Sequence, residues 1–257
     1  MTETFLMLTA AFVSGFLDAS VGGGGMVLIP ALFAVFPTTP HTHILGTSKL
    51  ASSFGLASAV WRYTRSVQIP WPVALPCAGA YFCAALVGAT LSRMVPSTTF
   101  RLMVPIMLTL MLLYVLSRRN FGLSHTPRVL DARARWRAAG IGALLGLYEG
   151  FFGPGSGALL IFAFVHLFGF DFLHAGAIAR VANLAGCIGA FLIFGSHGEV
   201  MLMLALGMAV TNIAGAWIGA HTAITHGSPF VRMLFIVIAS LLIAKTAFDG
   251  ARPWLMP

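Results

Sequence analysis

Two cations and two carboxylates stand where an apolar chain has little reason to keep them. Lys49 lies in ILGTSKLASSFGLASAV and Arg180 in AGAIARVANLAGCIGAF, each six or seven residues into an apolar helical run. A charge at that depth costs about 3 kcal/mol on insertion scales, so it faces the protein interior and marks an ion or substrate path. The chemistry it offers is anion binding. Ser48, Ser52 and Asn183, each within one helical turn of a cation, add hydroxyl and amide donors. The competing reading is that both cations snorkel to the membrane interface.

The carboxylates, Asp18 and Glu149, each precede a glycine-rich break in an apolar run: GFLDASVGGGGMVLIP and GLYEGFFGPGSGALLI. Unwound backbone in hydrocarbon leaves N–H and C=O groups unpaired unless they line a cavity or are buried against protein. Flanked by half-helices, such a break presents N–H groups and a positive dipole end to an anion. Gly22, Gly23, Gly24 and Gly25 in the first break, and Gly153, Gly155 and Ser156 in the second, are therefore candidate substrate contacts. Close helix packing through small residues is the alternative, and it suits Gly142, Gly146, Gly150, Gly215 and Gly219 better. Asp18 and Glu149 are the coupling candidates: each holds a proton, or pairs with Lys49 or Arg180 and exchanges partners as substrate enters. A permanent ion pair that only fixes helix register is the rival role.

These residues are related by one offset. Shifting the chain by 131 positions superposes Gly15 on Gly146, Asp18 on Glu149, Gly22 on Gly153, Lys49 on Arg180, Ser52 on Asn183, Gly88 on Gly219 and Arg101 on Arg232. The elements that must position them follow the same register. Hydropathy predicts eight segments, about 4–36 (broken), 43–61, 71–92, 99–117, 138–168 (broken), 173–195, 200–222 and 230–248. The expected fold is an all-α polytopic membrane protein made of two homologous four-segment repeats, 1–117 and 138–257, in a single transmembrane domain, the first segment of each repeat broken. If the broken segments cross, the repeats are parallel and both termini are cytoplasmic; if they are re-entrant, the repeats are inverted and the termini lie outside. Both arrangements place the basic linker 118–137 in the cytoplasm, because Arg118, Arg119, Arg128, Arg133, Arg135 and Arg137 crowd it.

Composition agrees. With 58% apolar and 9% charged residues and a mean hydropathy of +0.92, the chain lacks the polar surface of a soluble globule. The net charge of +8 comes largely from that linker and is read as topology, not as a nucleic-acid surface. The start, MTETFLML, has no basic region and is not expected to be a cleaved signal peptide. Cys77, Cys83 and Cys187 are expected as small core residues, and no His or Cys spacing calls for a metal or other cofactor. Arg101 and Arg232 are expected as interfacial anchors; His41, His43 and His174 as hydrated loop histidines.

GFLDASVGGGGMVLIPAL followed by LGTSKLAS, with GLYEGFFGPGSGALLI and AIARVANLAG in the second half, resembles the TauE/SafE sulfite exporter family, also called the toluene sulfonate uptake permease family. The resemblance implies a multi-pass protein of the bacterial inner membrane that moves small sulfur-containing or organic anions such as sulfite or sulfonates. Pro154, Ser156 and Arg180 depart from the first-half pattern, so the two half-sites differ; an asymmetric anion with a charged head and a carbon tail would suit them. The leading expectation is a secondary transporter, exporting a small anion held between the two breaks, with protons as an optional coupling ion. An anion channel would use the same cations without alternating access. A membrane-embedded enzyme would need a nucleophile with its base, or a metal cluster, and the sequence shows neither. Oligomeric state stays open, a homo-oligomer included.

Overall fold

The computed structural model describes residues 2–117 and 131–255, and helices make up nearly all of it. In chain order they are α1 (Thr2–Ser20), α2 (Gly25–Val35), α3 (His41–Ser66), α4 (Trp71–Arg93), α5 (Ser97–Ser117), α6 (Ala132–Phe151), α7 (Ser156–Phe168), α8 (Phe172–Ser196) and α9 (Leu202–Leu255), the last bent at Gly227 where φ is 69°. Prolines 40 and 70 stand just before α3 and α4, where a missing N–H does no harm. Asp131 and Asp171 cap α6 and α8, each accepting the N–H three residues on at 2.8 Å. The first of these caps moves a boundary: residues 132–137, expected in the linker, belong to α6. The rest of the linker and its expected cytoplasmic placement lie outside the described residues.

Three helices among the described residues are long and apolar enough to cross a bilayer: Trp71–Arg93, Phe172–Ser196 and Leu202–Gly227. Gly25–Val35 and Ser156–Phe168 are apolar but short. At 1.5 Å per residue these two are about 16 and 20 Å long, too short to span alone.

The first break reverses the chain. Gly24 lies against the Ser14 carbonyl and the Asp18 side chain, whereas ten residues of continuous helix would separate positions 14 and 24 by about 15 Å. α2 then packs back along α1, with Leu28 and Leu32 buried beside Met7, Ala10 and Ala11. At the second break the Tyr148 hydroxyl donates to the Pro154 carbonyl at 2.8 Å, and α7 packs on α6.

Each of these hairpins is gripped by a helix from the other half of the chain: α1 packs mainly on α9, and α6 mainly on α4. The grip depends on glycine. Gly88 meets the Leu147 carbonyl and Gly146 meets the Tyr81 carbonyl; 131 positions away, Gly219 meets the Phe16 carbonyl and Gly15 the Asn212 carbonyl. A Cβ at any of these four would collide with backbone that cannot yield, so small residues set the helix separation. α3 and α8 pack on each other between the two grips.

Candidate functional site

The two breaks meet tip to tip. The Ala158 N–H donates to the Gly22 carbonyl at 2.9 Å, and a Cβ on Gly25 would stand 3.3 Å from Pro154 Cα. Gly22 and Gly153 both adopt positive φ, 81° and 99°, which lets each chain turn without the strain another residue would carry. Gly22 also has no room for a side chain, because the Gly157 and Ala158 backbone would lie 2.7–2.9 Å from its Cβ.

Lys49 reaches this junction from α3. Its Nζ donates to the Glu149 carbonyl at 2.9 Å and to Glu149 Oε1 at 2.5 Å, with 3% and 4% of the two residues exposed. A Cβ on Gly153 would occupy the space of the Lys49 ammonium. The Glu149 carboxylate is fully engaged: Oε2 accepts the Ser156 hydroxyl, and the Cys187 thiol lies 3.4 Å from Oε1. Tyr81 supports the arrangement from α4 by donating to Asn183 Oδ1 at 2.7 Å.

A cavity of about 20 Å³ opens here, room for about one water molecule. Of the expected site residues, Asp18, Glu149, Lys49, Ser52 and Asn183 line it, as do Gly22, Gly25, Gly153, Gly155 and Ser156. Gly23 and Gly24 do not; the Gly24 N–H instead donates to Asp18 Oδ1 at 2.8 Å. Arg180 does not line it either. Its Nε donates to the Ala19 carbonyl at 2.7 Å, its guanidinium lies 4.5 Å from the Tyr63 ring, and Nη1 and Nη2 are buried with no hydrogen-bond partner. Ile29, Ser48, Leu56 and Cys187 complete the lining. Cys187 therefore belongs to the site and not merely to the core, and the signal was helical spacing: it follows Asn183 by one turn, as Leu56 follows Ser52.

Other expectations shift. His41 is not a hydrated loop residue: it is buried, its ring within hydrogen-bond distance of Ser97 Oγ (2.9 Å) and the Ser92 carbonyl (3.0 Å), and stacked on Phe100 at 4.3 Å. Cys83 is exposed on the outside of α4, where a membrane protein meets lipid. Arg101 donates to the Thr39 carbonyl at 2.6 Å beyond the end of α2 and lies over Phe33. The Arg232 side chain lies outside the described residues. Among the described residues no group of three His, Cys, Asp or Glu side chains is gathered as a metal would need.

Apolar helices of membrane-spanning length, two further apolar helices too short to cross alone, and ionisable side chains buried where the breaks meet define a polytopic helical membrane protein. The family model of the sulfite exporter TauE/SafE matches residues 7–246, and the chain belongs to this family of membrane transporters. It is 32% identical over 251 residues to a probable membrane transporter protein, ORF9, of Sinorhizobium sp., covering 96% of this chain and 93% of that one. Similar relatives, both named probable membrane transporter proteins, are one from Haemophilus influenzae, 28% identical over 95% of this chain and 94% of its own, and YfcA of Escherichia coli, 29% identical over 95% and 90%. No solved structure matches the chain.

Proposed function

We propose that this protein is a secondary transporter that exports a small sulfur-containing or organic oxyanion, sulfite or a sulfonate, held between the two helix breaks. The observation that carries this reading is the Lys49 ammonium, buried where the breaks meet and neutralised by a single carboxylate, in a member of a transporter family. A trianglar or tetrahedral oxyanion entering beside Lys49 would find hydroxyls from Ser48, Ser52 and Ser156 and the amide of Asn183 within the same cavity. Arg180 is a second buried cation near the breaks but outside the cavity that holds Lys49. The cavity is too small for such an anion while Glu149 holds Lys49, so entry requires the carboxylate to let go. Asp18 and Glu149, both reaching the cavity, are the groups placed to carry a coupling proton. A membrane potential negative inside favours anion efflux by about 2.3 kcal/mol per charge per 100 mV.

The site is the product of an internal duplication with an offset of 131. Matched element boundaries support this: α1 ends at 20 and α6 at 151, α2 begins at 25 and α7 at 156, α3 at 41 and α8 at 172. The exchanged glycine contacts support it too. The reversal at the breaks favours inverted halves, each a re-entrant hairpin followed by three crossings, with 118–130 in the cytoplasm and both termini outside. Arg62, beside His221 and Trp217, and Arg65, over Trp61, then face the cytoplasm, as the positive-inside rule requires.

The test is sulfite countertransport. Proteoliposomes preloaded with unlabelled sulfite should accumulate labelled sulfite against its gradient, which a channel cannot do. Dissipative flux alone would replace the transporter reading with the channel, and no movement of sulfite or of a short alkyl sulfonate would overturn the substrate class.

A further inference from the structure

Four ionisable side chains line or flank the two breaks, and 131 positions relate them in pairs: Lys49 to Arg180, and Glu149 to Asp18. The pairs are in different states. Lys49 is locked onto Glu149 by its carbonyl and its carboxylate. Arg180 and Asp18 are neighbours that are not bonded: Arg180 donates to the carbonyl of Ala19, the residue after Asp18, while Asp18 is taken by the Gly24 N–H and Arg180 keeps two buried nitrogens without any acceptor.

An arginine that is 1% exposed and offers two unfilled donors is a site short of an acceptor. Its surroundings hold it ready. The Ala19 carbonyl fixes Nε and also accepts the Tyr63 hydroxyl at 3.1 Å, the Tyr63 ring supports the guanidinium face, and the absent Gly176 side chain leaves room for Nη1. The fork that remains, Nη1 and Nη2, matches two oxygens of an oxyanion.

Resting on the anion-transport reading above, we propose that Arg180 is a second oxyanion station distinct from the Lys49 cavity, and that the two stations are available in alternation. While Glu149 occupies Lys49, Arg180 receives the anion. When Asp18 swings onto Arg180, the anion is released there, and Lys49, freed from Glu149, becomes the open station. The exchange leaves the protein's net charge unchanged: one ion pair forms as the other breaks, and each state keeps one cation open for the anion while the spare carboxylate is held by a hydrogen bond, Asp18 by the Gly24 N–H or Glu149 by the Ser156 hydroxyl. The two cations thus act in turn and do not clamp one anion together.

The experiment is sulfite binding to the purified full-length protein by calorimetric titration, with thermal unfolding recorded for each variant. Arg180→Gln should weaken sulfite binding by about tenfold or more, the loss expected for a charge-assisted contact. Adding Glu149→Gln to Arg180→Gln should restore it, because Lys49 is then free; a purely structural role for Arg180 would give no such rescue. Lys49→Ala should still bind one sulfite, and Asp18→Asn, which removes the competitor and keeps Arg180, should tighten binding. Unchanged affinity in Arg180→Gln overturns the second station. Loss without rescue by Glu149→Gln overturns the alternation. If Arg180→Gln does not fold, unchanged affinity in Asp18→Asn, or complete loss of binding in Lys49→Ala, overturns the proposal instead. Failure of the unaltered protein to bind sulfite or a short sulfonate would overturn the underlying anion reading, and this station with it.

Discussion

At one break a serine stands where the other has a glycine, and the two carboxylates end with different partners. Ser156, the first residue of α7, gives its hydroxyl to Glu149; Gly25, the first residue of α2, has none to give, and Asp18 takes the Gly24 N–H instead. Beyond the carboxylates the contrast continues. Lys49 is extended into the junction and bonded twice, whereas Arg180 is held back at the end of α1. Two stretches with the same register therefore provide one closed ion pair and one open cation. The lesson is that two breaks in one register hold their carboxylates differently, Glu149 by a cation and a hydroxyl and Asp18 by a backbone N–H.

That contrast can be broken or sharpened. The largest effect is expected from Glu149→Gln, which leaves the Lys49 ammonium buried without its counter-charge; removing one partner of a buried pair costs about 3–5 kcal/mol, read as a lower thermal unfolding midpoint in detergent. Asp18→Asn, whose carboxylate has no bonded cation, should cost less than half as much. Equal losses would erase the distinction between the halves.

The glycines come next. Gly22→Ala forces a positive φ on alanine and drives its Cβ into backbone, so about 3 kcal/mol or more of stability should be lost; Gly153→Ala carries the same backbone strain but meets the side-chain end of Lys49 and not backbone, and should cost about 1–2 kcal/mol while impairing transport more than its stability loss accounts for. The reverse order in thermal unfolding would contradict the tip-to-tip packing. Smaller still, Tyr81→Phe removes one buried hydrogen bond to Asn183, worth about 1 kcal/mol, and should leave sulfite affinity within about threefold of the unaltered protein.

Much of this was legible in the chain because it is written as exceptions. Four consecutive glycines, a lysine and an arginine inside apolar helices stand out against their surroundings, and ten of the thirteen expected site residues share one cavity. What stayed hidden depends on which segments touch. The sequence pairs each carboxylate with Lys49 or Arg180 without choosing between them; that Lys49 takes Glu149, 100 residues away and in the other half, follows from packing between distant segments, and no local pattern encodes it. Arg180 shares a helical face with Asn183, yet its long side chain turns toward Ala19 because Gly176 leaves the space, a packing outcome that spacing does not reveal. His41 read as a loop histidine because it follows Pro40; the α4–α5 turn, bringing Ser92 and Ser97 to it, is what buries it.

The central claim is that the anion passes beside Lys49 where the breaks meet. Its most direct test is the initial rate of sulfite export from proteoliposomes containing Lys49→Ala, with Lys49→Arg as the charge-retaining control and protein content matched. A rate reduced by about a hundredfold or more in Lys49→Ala, with partial activity kept by Lys49→Arg, is the predicted result, since loss of a charge-assisted contact in a dry site removes about 3 kcal/mol of anion stabilisation. Export by Lys49→Ala at the unaltered rate would contradict it.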